Sequence, residues 1–207
     1  MSNKYYDEDV LSYIDHSIIL NPFFDEWYGY VERILLNDEF QKRKLFPHHH
    51  NISVWDHSIL VSFRSFIMSK IFNADSRNTA IAGLLHDFYP WSWMYSEDLE
   101  DLDGGKYLVE VYAKHSLFEM HAFTHGEAAA LNYVKFFPEL ENSRITDAIK
   151  RHMFPLTVIP PKNKEGFIIS LVDKFNSCNE MPSPRFVAEK IKNSKIVVRA
   201  TKAIGIK

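Results

Sequence analysis

The chain has 207 residues, 46% of them hydrophobic and 14% aromatic, with a formal net charge of −3 and a single cysteine, Cys178. This composition excludes a disordered chain and a disulfide framework, and it offers no basic excess for a nucleic-acid polymer or an anionic membrane. One domain over residues 1–207 with a sizeable core is expected, in a reducing, cytoplasmic setting. The polar, acidic start MSNKYYDEDVLSYIDHS is unlike a signal peptide, and no apolar run approaches the ~20 residues of a membrane span.

Taken in order, residues 5 to 20 predict a short amphipathic helix, with Val10, Leu11, Ile14, Ile18 and Ile19 near helical spacing. Asn21-Pro22 punctuates the chain, and residues 22 to 36 predict a second helix carrying Phe23, Trp27, Tyr30, Val31 and Ile34. A charged continuation runs to a break at Pro47, and His48, His49 and His50 then read as a solvated loop, with a substrate contact from one of them as the alternative. Ser53 is a good N-cap for a long helix over about 54 to 72, whose second turn holds His57. A turn over 73 to 76 leads into a helix over 76 to 87 that ends in His86-Asp87. Residues 88 to 106 read as irregular: Trp91, Trp93, Tyr95, an acidic run over 97 to 103 and Gly104-Gly105 suit either a pocket wall or a solvated insertion.

Residues 107 to 119 read as helical. Thr124 with Glu127 reads as a capping box opening a helix over about 125 to 136, with His125 in its first turn and Pro138 after its end. Residues 142 to 153 predict a helix carrying Ile145, Ala148, Ile149 and His152, stopped at Phe154-Pro155. Residues 163 to 177 predict another, with Asp173 among Ile168, Leu171, Val172 and Phe175, and Ser183-Pro184 opens a last helix to about 193. No strand series or repeat is visible, so the expected fold class is all-α.

The residues that carry chemistry are the histidines and carboxylates on or beside apolar helical stretches: His57, His86, Asp87, His125, His152 and Asp173. One such histidine is ordinarily a satisfied core residue. Six groups of mixed N and O type are harder to explain as packing, because a buried carboxylate without a positive partner is costly. The mixture suits Fe, Mn, Zn, Ni or Co and has too few oxygens for a calcium site. Adjacent helix residues point about 100° apart, so His86 and Asp87 suit two ions, or an aspartate bridging a pair, better than one ion held symmetrically. The long spacings mean that only the fold can assemble such a site.

The series VWDHSILVS, GLLHDF, HAFTHGEAA, IKRHMFP and LVDKFNS resembles the HD-domain superfamily of metal-dependent phosphohydrolases, over roughly residues 48 to 180. HAFTH, KRHMFPL and LVDK together are similar to a bacterial subgroup of it. That subgroup usually has proline after the HAFTH histidine, where this chain has Gly126. The resemblance implies an HD-domain helical bundle with the N-terminal helices 5–46 and the C-terminal helix and tail 181–207 packed on it. It also implies His57, His86, Asp87 and Asp173 as the shared metal ligands, with His125 and His152 completing a second position and Asp87 bridging. The implied cofactor is a divalent transition metal in two ions, Fe or Mn first. The implied activity is hydrolysis of a small phosphate ester or nucleotide by metal-activated water, with Asp87 positioning the nucleophile.

Lys174, with Lys150 and Arg151, is a candidate phosphate contact, and His121 a candidate general acid. The Gly-Tyr-Pro signature of cyclic-dinucleotide phosphodiesterases is absent after His152, and the length excludes a full alarmone hydrolase-synthetase. Two other readings stand beside hydrolysis: a di-iron oxygenase on the same scaffold, and a non-catalytic module that binds metal or nucleotide.

Overall fold

Where apolar residues recur at helical spacing, helices form. The computed structural model describes residues 6–49, 52–90, 92 and 121–180, and its regular structure there is helical apart from one pair of short strands. The N-terminal segment is two short helices rather than the one expected, α1 (Glu8–Leu11) and α2 (His16–Ile19). The cause is local: Asp7 accepts a hydrogen bond from the Val10 N–H and Asp15 from the Ser17 N–H, so each starts its own helix. Helix α3 (Phe24–Leu35) buries Trp27, Tyr28, Val31, Ile34 and Leu35. The charged stretch after it is also broken up, because Asn37 caps a short α4 (Asp38–Gln41) that passes into a 3₁₀ turn over Lys42–Leu45.

Strands β1 (Pro47–His49) and β2 (Ile52–Ser53) then pair antiparallel. This corrects the expectation of a solvated loop at His48, which is buried. Helix α5 (Val54–Ile71) starts as the sequence predicts: Ser53 and Asp56 cap each other reciprocally. Asn73, with φ of 49°, turns the chain into α6 (Ser76–Leu85), which Asp75 caps. Among the described helices, α5 and α6 pack against each other most extensively. Gly83 permits it, since a Cβ there would stand 3.0 Å from Ser62 Cα. The Ser62 hydroxyl binds α3 to this pair by donating to Ala80 O (2.7 Å) and accepting from Trp27 Nε1 (2.9 Å).

Helix α7 (His121–Phe136) begins earlier than predicted. Thr124 is therefore inside a helix and not at its N-cap, and its capping-box pattern with Glu127 has no helix start to serve. Helix α8 (Ser143–Arg151), capped by Asn142, and α9 (Lys164–Glu180) complete the bundle. The helices expected over 107–119 and 183–193, and most of the 88–106 segment, lie outside the described residues. No helix among the described residues is long and apolar enough to cross a membrane.

Candidate metal centre

Five helices deliver the six singled-out residues to one place. His57 sits in the second turn of α5, His86 is the C-cap of α6 and Asp87 follows it. His125 lies on α7, His152 is the C-cap of α8 and Asp173 lies midway along α9. All six are buried, none more than 6% exposed. The structure therefore brings together residues that are 116 positions apart in the chain.

Two of the rings are fixed by backbone. His86 Nδ1 is 2.8 Å from Gly83 O, and His152 Nδ1 is 2.7 Å from Ile149 O. A carbonyl only accepts, so Nδ1 carries the proton in both rings, and the neutral ring presents a lone pair at Nε2. Burial, and then the neighbouring His125 and His86 rings, push the His152 imidazole down to about 3, so it is neutral. His57 Nε2 donates to Asp173 Oδ1 at 3.2 Å.

His86 Nε2 then faces carboxylate oxygens, while His125 Nε2 donates to the lone pair of His152 Nε2 at 2.9 Å. His86 Nε2 stands 3.6 Å from Asp87 Oδ2 and 3.7 Å from Asp173 Oδ1. Asp87 Oδ1 stands 3.4 Å from His125 Nε2 and 3.6 Å from His152 Nε2. His86 Nε2 and Asp87 Oδ1 are both buried without a hydrogen-bond partner. Such groups are costly to bury unless something positive lies between them. Burial opposes ionisation of Asp87, but the imidazoles of His86, His125, His152 and His48 around it hold it well below the usual carboxylate range. Burial likewise opposes ionisation of Asp173, and the hydrogen bond from His57, with the neighbouring His86 and His152 rings, outweighs it and holds the carboxyl well below its usual range.

The donor set fits a cation. Ligands about 2.1 Å from one ion and 90–120° apart stand about 3.0–3.6 Å from each other. The separations of Asp87 and Asp173 oxygens from the His86, His125 and His152 nitrogens run from 3.4 to 3.7 Å, at the upper end of that range and just beyond it. The groups His57, His86, Asp173 and His86, Asp87, His152 each place ligand atoms within 4.8 Å of one another.

Of the suggested cations, Lys174 lies beside Asp173, while Lys150 and Arg151 pair with carboxylates of their own. Lys174 Nζ donates to His152 O (2.8 Å) and to Ser170 O and Oγ (3.3 and 3.2 Å), 3.8 Å from Asp173 Oδ2. Lys150 pairs with Glu127, and Arg151 pairs with Asp147 and donates to Pro160 O. His121 opens α7, but its side chain, like Trp91, Trp93 and Tyr95, lies outside the described residues. The residue missed by sequence reasoning is His48, whose ring lies beside His57. Its signal was the alternation of Phe46 and His48, both buried, on extended backbone around Pro47. No family model matches the chain, nor does a curated protein or a solved structure.

Proposed function

We propose that this chain is an HD-type phosphohydrolase, cleaving a small phosphate ester or nucleotide at a centre of two divalent ions, iron or manganese before nickel, cobalt or zinc. The metal part of this reading is carried by one observation: His86 Nε2, buried and without a hydrogen-bond partner, faces oxygens of Asp87 and Asp173. The hydrolytic part rests on the resemblance of the residue series to HD domains.

Divalent ions held there supply Lewis acidity, which acidifies water and offsets negative charge on phosphoryl oxygens. The chain supplies a pre-set ligand shell. Gly83 O and Ile149 O lock the His86 and His152 rings, and Asp173 holds His57, which would release its Nε2 proton as an ion enters. Asp87, shared between the His86 and the His125–His152 sides, would hold ions on both sides, and its carboxylate would accept a hydrogen bond from a water bound there. Lys174 acts through His152, holding the end of α8 in place.

Elemental analysis of gently purified protein, paired with a screen of phosphate esters in Mn²⁺, tests this. The expected result is about two transition-metal ions per chain and release of phosphate. Metal without release from any ester overturns the hydrolase, and absence of metal that added Mn²⁺ does not remedy overturns the centre itself.

A further inference from the structure

His48 lies inside the cluster although its sequence setting reads as a loop. It is 7% exposed, carried on β1 with Phe46 buried two residues before it. Its ring lies tilted against His57, with centroids 4.0 Å apart and planes 34° apart. Its Nδ1 stands 3.9 Å from Asp87 Oδ2. His48, His57 and Asp87 form a third buried group whose ligand atoms all lie within 4.8 Å of one another.

The Asp87 carboxylate orders these neighbours. Oδ1 faces His125 and His152, while Oδ2 faces His86 and His48. A carboxylate with a pair of imidazoles on each oxygen is arranged to bridge two ions, one per oxygen. We propose that His48 is a metal ligand on the Oδ2 side of Asp87, added to the six residues already named. This rests on the metal-centre reading above. It makes the two-stranded β1–β2 element part of the ligand shell, so the centre is closed by a sixth element besides the five helices.

The competing role for His48 is packing, a flat ring that holds His57 in its rotamer. His48→Phe separates the two, because it keeps a flat ring over His57 and removes the nitrogens. His48→Cys gives a positive readout, since a thiolate that ligates Co²⁺ produces a near-ultraviolet charge-transfer absorption. The full-length parent and both variants are titrated with Co²⁺, and bound metal is followed by equilibrium dialysis and by absorption. Far-ultraviolet circular dichroism checks that each variant is folded.

We expect His48→Phe to lose at least about 10–100-fold in affinity at one of the parent's cobalt positions, since even outer partners of ligands cost that much. We expect His48→Cys to show the charge-transfer band, which the parent lacks because its own thiol, Cys178, is exposed. Parent-like cobalt binding by His48→Phe, or bound cobalt without the band in His48→Cys, overturns the assignment while leaving the metal centre intact. A parent that takes up no cobalt overturns the underlying reading and His48 with it. Should His48→Phe fail to fold, the spectrum of His48→Cys decides.

Discussion

Among single residues, Asp87 carries the most. It is buried, one of its oxygens has no hydrogen bond, and four imidazoles surround it. A carboxylate so placed contributes little to the stability of the metal-free fold and much to holding a cation. Asp87→Ala should therefore lose retained metal and ester hydrolysis together, while its far-ultraviolet circular dichroism stays that of the helical parent. Hydrolysis at the parent rate would remove Asp87 from the chemistry. Lys174 belongs to a different class, because its ammonium satisfies the carbonyl of His152 at the end of α8. Burial lowers the pKa of that ammonium, and the nearby Asp173 and Asp87 carboxylates oppose the shift. Lys174→Ala should cost about 1–2 kcal/mol of stability by urea unfolding, toward the low end because the side chain is 35% exposed. It should also weaken metal binding through a looser His152. An unchanged urea midpoint would show that the ammonium's contacts contribute nothing.

Among the elements, the meeting of α7 with α8 sets the His125–His152 pair. Gly126 makes that approach possible: a Cβ there would lie 2.8 Å from Lys150 O and 3.3 Å from Ile149 O, and both are backbone atoms that cannot swing aside. Alanine favours a helix over glycine by about 1 kcal/mol, but relieving the clash means separating the helices, at about 1–3 kcal/mol. Gly126→Ala should lower the melting temperature and weaken metal binding, with the variant still helical. A melting temperature above the parent's would show that the helices have slack. Much of this arrangement was legible beforehand. His57, His86, His125, His152 and Asp173 interrupt apolar helical runs, and a polar group in such a place needs an explanation. Ser53 announced α5 because its capping partner Asp56 stands three residues on. Thr124 misled for the converse reason: the same Thr-x-x-Glu spacing also occurs within a helix, and only the helical path through His121 to Phe123 shows that no start lies there. His48 was opaque because two residues of alternation are too short to distinguish a strand from a loop.

For the whole molecule, the question is what aligns five helices so that the six His and Asp residues proposed as ligands meet. The answer at the far end of the bundle is Glu165. Its side chain is fully buried in the first turn of α9. It accepts from the Asp75 N–H at the start of α6 (2.9 Å) and from Arg144 in the first turn of α8 (2.9 and 3.0 Å). Three helices thus leave one ionic knot, and each carries a ligand 8 to 11 residues further on: His152 from Arg144, Asp173 from Glu165, His86 from Asp75. At 1.5 Å per residue these are on the order of 12–16 Å, so the knot sets the relative heights of ligands it does not touch. Burial opposes ionisation of Glu165, but the Asp75 N–H, its own N–H and Arg144 outweigh it, and the carboxyl is held below its ordinary value. A depressed carboxylate stabilises the fold above its unfolded value of about 4.3, and that contribution is lost as pH falls through the lower folded value. Glu165→Gln should therefore cost roughly 1–3 kcal/mol at pH 7. The gap between parent and variant, measured by urea unfolding of metal-free protein, should stay constant from pH 7 to about 5 and close below about 4. Measuring the difference cancels whatever the His–Asp cluster itself contributes in acid, since both proteins share it. A gap that persists undiminished to pH 3 would mean that Glu165 acts as a neutral hydrogen-bonding group, and that its charge does not align the helices.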